Sequence, residues 1–208
     1  MTAPILRWYQ ENFVVQSRAA FARGLRRPLV QAPTGAGKTI FFCYIAITAA
    51  ARCKITWIVV HRRELVKQTV EKLGQFGVTP GVMAAGWKPD YQNRIQVCLI
   101  DSMPSRMHLY TVPDLIVPDE AHHVVSEKWS TTLNNIPDAR ELGVTATPQR
   151  LDGRGMGEFF DCLIQGPQVQ DLIDCGALSE YKFVSIPHTG IRDFHVQMGR
   201  SEEHTSEL

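Results

Sequence analysis

The stretch DLIVPDEAHHV, residues 114–124, ends an apolar run in two acids and two histidines. Three kinds of chemistry could use that set. The histidines could ligate a metal, Asp119 and Glu120 could work as an acid/base pair, or the acids could hold magnesium and activate a water beside a nucleoside triphosphate. A second stretch, QAPTGAGKTIFF at 31–42, bears on the choice. Gly35 and Gly37 let the backbone curl until several N–H groups point at one phosphate. A helix starting near Lys38 adds the positive end of its dipole. Thr34, Gly35, Ala36, Gly37, Lys38 and Thr39 then form a phosphate cradle, with Lys38 as a point charge for the β- and γ-phosphates and the Thr39 hydroxyl as a magnesium ligand. The strict pattern GxxxxGK[ST] asks for glycine where Ala32 stands, so the match is one residue short.

A phosphate loop narrows the reading of the acids. Magnesium bound by Thr39 needs a carboxylate from a neighbouring strand end, and Asp119 follows the apolar run of Leu115, Ile116 and Val117. Glu120 is then free to polarise the attacking water as general base. The metal reading of the histidines weakens, because adjacent His122 and His123 point in different directions and no HExxH or CxxC accompanies them.

These residues need a frame that brings two strand ends together. Residues 7–23 read as a helix, 28–32 as a strand, KTIFFCYIAITAAAR as a helix and 55–60 as a second strand. RRELVKQTVEKLGQF reads as an amphipathic helix with Leu65, Thr69, Lys72 and Leu73 at helical spacing. Further apolar runs follow at RIQVCLI, DLIVP and ELGVTA. Nearly continuous apolar strands alternating with helices predict a doubly wound, mainly parallel α/β sheet with helices on both faces. Ligands of such sheets bind at the carboxyl ends of the strands, where both motifs fall.

The 208 residues are 44% hydrophobic and 21% charged, with a net charge of +1, which fits a chain with a full core and excludes global disorder. Near-neutral charge gives no bulk case for nucleic acid, so any such site is local. Arg18, Arg23, Arg26 and Arg27 read as a solvated helix face. Five cysteines without a CxxC pair or a signal-like N-terminus predict reduced, mostly buried thiols and a cytoplasmic protein. The longest apolar stretch, around residues 40–51, falls short of the ~20 residues that span a bilayer.

With these motifs in place, the chain resembles the superfamily 2 helicases of the DEAD/DEAH-box branch. The likeness covers about residues 5–186 and implies the first of two RecA-like P-loop lobes using ATP and Mg2+. RWYQ, 7–10, resembles the adenine-reading Q motif, which implies Gln10 at the base. VVHRRELVKQ, 59–68, resembles motif Ia and implies that Arg62 and Arg63 contact the nucleic-acid backbone, of DNA rather than RNA. GVTATPQRLDG, 143–153, resembles motif III, so Thr145 and Thr147, with His122, would couple hydrolysis to movement. The run from TATPQRLDGRGMGEFFD to LIDCGALSEYKFV is similar to RadD-like helicases and restriction-subunit relatives.

Two departures stand out. Pro118 precedes Asp119, where it removes a ladder hydrogen bond at a strand's end. Asp101 stands in the segment equivalent to motif Ib, where its charge would repel a phosphate.

The resemblance implies a first lobe over 1–186, the start of a connection at 187–199, and a second lobe missing from the chain. Residues 200–208, RSEEHTSEL, match codon for codon the translation of a common sequencing-library adapter, so a non-native tail is expected there. The function expected is that of a helicase or translocase motor lobe. A restriction motor subunit, or a nucleotide-dependent binding module without motor action, remains an alternative.

Overall fold

The computed structural model describes residues 3–148 and 156–180. The adapter-like tail, the expected connection at 187–199 and part of the motif III sequel lie outside the described residues. The chain runs through helix α1 (Trp8–Ala22), strand β1 (Pro28–Gln31), α2 (Lys38–Ala50), β2 (Thr56–Val60), α3 (Arg63–Gln75), β3 (Gly81–Met83), β4 (Ile95–Leu99) and a short α4 (Met103–Arg106). It continues with β5 (Leu115–Pro118), α5 (Glu127–Asn134), β6 (Arg140–Glu141), β7 (Gly143–Thr145), β8 (Cys162–Gln165) and α6 (Val169–Asp174). The expected parallel α/β architecture is found. Every described strand pair is parallel, in the orders β3-β4-β2-β5-β6 and β7-β1-β8.

The apolar runs are continuous because alternate residues feed two cores. Ile58 and Val60 of β2 pack with Val117 of β5 and Phe41 and Phe42 of α2 on one face. Trp57 and Val59 pack with Ile116 of β5 and Trp129 and Leu133 of α5 on the other. Burial on both faces leaves no solvated side to mark with polar residues. The buried face of α3 is Val66, Thr69 and Leu73, with Leu65 and Lys72 at its margins.

The expected single run ELGVTA is two strands, and Pro118 supplies the reason. The Leu142 N–H bonds to the Ile116 carbonyl, but Pro118 has no N–H to continue that ladder. Pairing resumes only at an isolated bridge between Asp119 and Val144. The two sheets are therefore one surface with a seam, and the seam lies beside the acidic motif. Asp119 is nevertheless held, because its own N–H bonds to the Val59 carbonyl at 2.9 Å on the opposite side.

Two composition-based expectations need correction. Only Cys43 and Cys98 are buried, while Cys53 and Cys175 are exposed and Cys162 is half-buried, and all five are free. Arg26 and Arg27 are not on a solvated helix face, since α1 ends at Ala22 and Gly24 turns the chain with φ +86°. Their backbone N–H groups bond to the Asp161 carboxylate at 2.6 and 2.7 Å. Arg27 Nε lies 3.0 Å from Glu141 Oε1, and its guanidinium covers the Phe159 ring. These arginines bind β1, β6 and β8 to one another. No helix among the described residues is long and apolar enough to cross a membrane.

Candidate functional site

The carboxyl ends of β1, β2, β5 and β7 converge. β1 runs into the loop 32–37, which opens α2. Gly35 and Gly37 have φ of +84° and +76°, the left-handed backbone that glycine adopts without a Cβ penalty. Ala32 does not share it. It is 1% exposed, its N–H bonds to the Thr145 carbonyl at 2.9 Å, and its methyl is part of the core. The missing glycine of the strict motif is thus a position that needs no glycine here.

The loop is braced from outside by α1. The Ala36 carbonyl accepts from the Tyr9 hydroxyl at 3.1 Å and from Gln10 Nε2 at 3.1 Å, and Gln10 Nε2 also reaches the Gly37 carbonyl at 3.2 Å. In a trans peptide the C=O of one residue and the N–H of the next point in opposite directions. Drawing the Ala36 and Gly37 carbonyls toward α1 turns the Gly37 and Lys38 N–H groups the other way, as a phosphate cradle requires. Gln10 is 2% exposed, and its Oε1 already accepts from the Arg7 N–H at 2.9 Å. A Cβ on Gly37 would lie 2.6 Å from Gln10 Nε2, so this glycine is needed for fit as well as for φ.

Gln10→Ala removes two loop bonds and leaves only the one from Tyr9. At ~1 kcal/mol per bond the expected loss is roughly 1–2 kcal/mol, about 5- to 30-fold in nucleotide affinity. ATP titration by calorimetry reads it, and unchanged affinity would mean that the loop holds its shape unaided.

Across the cleft, Glu120 sits in left-handed backbone with φ 49°, a conformation that costs a non-glycine residue roughly 1–2 kcal/mol. Its Oε1 is 3.7 Å from Lys38 Nζ and its Oε2 is 3.4 Å from His122 Nδ1. His122 Nδ1 is also 3.1 Å from Thr145 Oγ1, which donates to the Thr147 carbonyl at 3.1 Å and accepts the Thr147 N–H at 3.2 Å. Lys38, Glu120, His122, Thr145 and Thr147 therefore form one polar chain. Arg62 and Arg63 are exposed at the start of α3; Arg62 lines the same cleft as Asp119 and Glu120, while the Arg63 guanidinium bonds to the Ala85 carbonyl. Asp101 is paired with Lys128, so its charge is locally countered.

Asp119 is 8% exposed, and its Oδ1 accepts the Glu120 N–H at 3.0 Å. Burial, reinforced by the Glu120 charge, pushes its pKa up to about 6 despite that bond and nearby Lys38. A buried carboxylate short of positive charge at the end of β5, and a Thr39 hydroxyl at the start of α2 with no hydrogen bond among the described residues, are hard-oxygen donors of the kind magnesium takes. Among the described residues no group of three or more His, Cys, Asp or Glu is placed to hold a metal.

The raised pKa has a stability consequence. Well below pH 3.8, the ordinary aspartate value, Asp119 is protonated in both the folded and unfolded chain and costs nothing. As pH rises toward 6 only the unfolded chain ionises, so stability falls, and above 6 the deficit is constant at about 3 kcal/mol. Asp119→Asn should therefore stabilise the nucleotide-free chain at pH 7.5 by on the order of 1–3 kcal/mol, and by less at pH 5. Urea unfolding at the two pH values measures it; equal stability at pH 7.5 would contradict the burial argument.

Sequence reasoning found the two strand-end motifs and missed Tyr9 and His61. Tyr9 adjoins Gln10 and could have been found from that neighbour, whereas His61 carries no spacing signal.

Comparison with known proteins adds the family. A family model described as Type III restriction enzyme, res subunit, matches residues 4–150. The putative ATP-dependent helicase IRC3 of Saccharomyces cerevisiae is 27% identical over 203 residues, covering 89% of this chain and 30% of the relative. A DNA 3'-5' translocase, XPB2 of Sulfurisphaera tokodaii, is 33% identical over 147 residues, covering 69% and 31%. The chain spans about a third of the length of the curated relatives it matches. Among solved structures, the type ISP restriction-modification enzyme LlaBIII bound to DNA superposes with a TM-score of 0.64 over 87% of this chain and 16% of that one, at 17% identity, a likeness of fold. The chain belongs to the Type III restriction enzyme res-subunit family, as a RecA-like lobe of the superfamily 2 helicases.

Proposed function

We propose that this lobe binds ATP with magnesium and hydrolyses it to drive movement along nucleic acid, with DNA as the track. The observation that carries the reading is the polar chain from Lys38 through Glu120 and His122 to Thr145 and Thr147, which joins the phosphate loop to the motif III segment. Loop N–H groups and Lys38 bind the phosphates. Thr39 and Asp119 would hold the magnesium ion, which when bound neutralises charge on the phosphates. Glu120 accepts the proton of the attacking water, and His122, touching both Glu120 and Thr145, passes the change onward. Gln10 holds the loop, and the free lone pair of its Oε1 is available to the adenine edge once the buried side chain is uncovered. Arg62 and Arg63 contact the track. DNA is favoured because XPB2 is named a DNA translocase and LlaBIII was solved on DNA.

A restriction role is a second reading, favoured by the family description itself. A nuclease domain in the same protein would decide for it.

The resemblance also implies a second lobe, reached through the connection that starts at 187–199, whose arginines reach the γ-phosphate. Such an arginine is worth ~10³ to 10⁵ in rate, roughly 4–7 kcal/mol. The lobe alone should bind ATP, release phosphate very slowly and respond little to single-stranded DNA. Joined to its second lobe, it should show DNA-stimulated release. Phosphate release measured on both forms with and without DNA tests this, and DNA-stimulated turnover by the lobe alone would overturn the two-lobe reading.

A further inference from the structure

Three imidazoles lie between the nucleotide site and α3, and the polar chain uses only one. The His123 ring is 4.2 Å from that of His122, 4.7 Å from that of His61, and stacked 6.3 Å from Trp129, centroid to centroid. His61 follows β2 directly and precedes Arg62, the residue just before α3. Its Nδ1 is buried with no hydrogen-bond partner, and no hydrogen bond holds its ring among the described residues. A buried nitrogen without a partner calls for an explanation. Among the described residues, the ring contact that His61 makes is with His123.

His123, in contrast, is fixed to the catalytic turn. Its N–H bonds to the Glu120 carbonyl at 3.0 Å, and its own carbonyl accepts the Ser126 N–H at 3.0 Å and the Ser126 hydroxyl at 2.8 Å. Glu120 holds strained left-handed backbone, the kind of residue that can exchange one conformation for another when its partners change. Its two oxygens are near His122 and Lys38, and Lys38 is a group that a bound nucleotide would engage. Any rotation of the Glu120 peptide carries His123 with it through the backbone bond. Among the described residues no hydrogen bond of the His61 ring opposes a matching shift. Burial and the neighbouring imidazoles lower the pKa of both His61 and His123, so the contact is between neutral rings that pack without repulsion.

We propose that His123 is a positioning residue that transmits the nucleotide state from Glu120 to His61, and so to Arg62 and Arg63 at the start of α3. The link rests on the nucleotide-binding reading above. It runs beside the route through His122 and Thr145 and ends on a different element. One route reaches the motif III segment; this one reaches the arginines proposed to grip the track.

The test is NMR on the 208-residue chain with labelled glycine amides and histidine rings, titrated with Mg-ADP. Gly37 reports that nucleotide has bound, and His61 reports the link. In the wild type both signals should move. In His123→Leu the Gly37 shift should persist and the His61 shift should vanish, while His123→Phe, which keeps an aromatic ring against His61, should restore it. A moved Gly37 with an unmoved His61 in the wild type would overturn the link, as would an undiminished His61 shift in His123→Leu. If Gly37 and His61 both stay still, the nucleotide-binding reading fails and the link falls with it.

Discussion

Glu120→Gln, in the protein joined to its second lobe, is expected to slow phosphate release by ~10² to 10⁴ while Mg-ATP still binds within about threefold of the wild type. An amide matches a carboxylate in shape but cannot take a proton from water, so the chemical step loses its base. Binding is spared for a structural reason. Glu120 Oε1 lies 3.7 Å from Lys38 Nζ, and the Ala32 carbonyl lies 3.4 Å from the same nitrogen. The neutral amide holds Lys38 less strongly, and the lysine is then freer to meet the phosphates. Asp119 beside it also feels one less negative charge, so its pKa should fall and its carboxylate should be easier to ionise for magnesium. Single-turnover phosphate release and equilibrium titration separate the two effects. Equal hydrolysis by the wild type and Glu120→Gln would remove Glu120 from the base role.

The parts of this site that could be read in the sequence are contiguous. The loop 32–39 and the turn 119–123 each bring their chemistry within a few residues, at strand ends that the apolar runs mark out. The contacts that join them are not contiguous. Gln10 reaches carbonyls 26 and 27 residues away, and no spacing rule announces that its amide faces the backbone of the phosphate loop. The contact of His61 with His123 depends on β2 and β5 being neighbours, a pairing of strands that many other sheet orders would not produce. Pro118 could be read as a missing donor, but not as the place where β6 and β7 part, because that depends on which strand lies on the side its N–H would have faced. The strands β3 and β8 escaped notice because three or four residues carry too little pattern. In α5, Trp129, Thr132 and Leu133 do show helical spacing, diluted by five polar neighbours. Arg26 and Arg27 misled in the other direction, since charge clustering alone cannot tell a solvated face from a clamp around Glu141 and Asp161.

Lys38→Ala should cost the chain most of its affinity for ATP and little of its stability. Among the described residues Lys38 Nζ has two polar contacts, at 3.4 and 3.7 Å, both long, so its removal breaks no strong interaction there. In the complex it would supply charge-assisted bonds to phosphate oxygens in a cleft flanked by Asp119 and Glu120. Those two carboxylates oppose any bound anion and would be left without their nearest lysine. At ~1.5–3 kcal/mol for a bond to a charged group, affinity should fall about 10- to 150-fold. The most direct test of the whole account is therefore calorimetric titration of Mg-ATP into the wild type and Lys38→Ala, with circular dichroism showing that both are folded. Tight binding by the wild type and at least a tenfold loss in the variant is the predicted result. Equal affinity in two folded proteins would contradict the assignment of residues 32–39 as the nucleotide site.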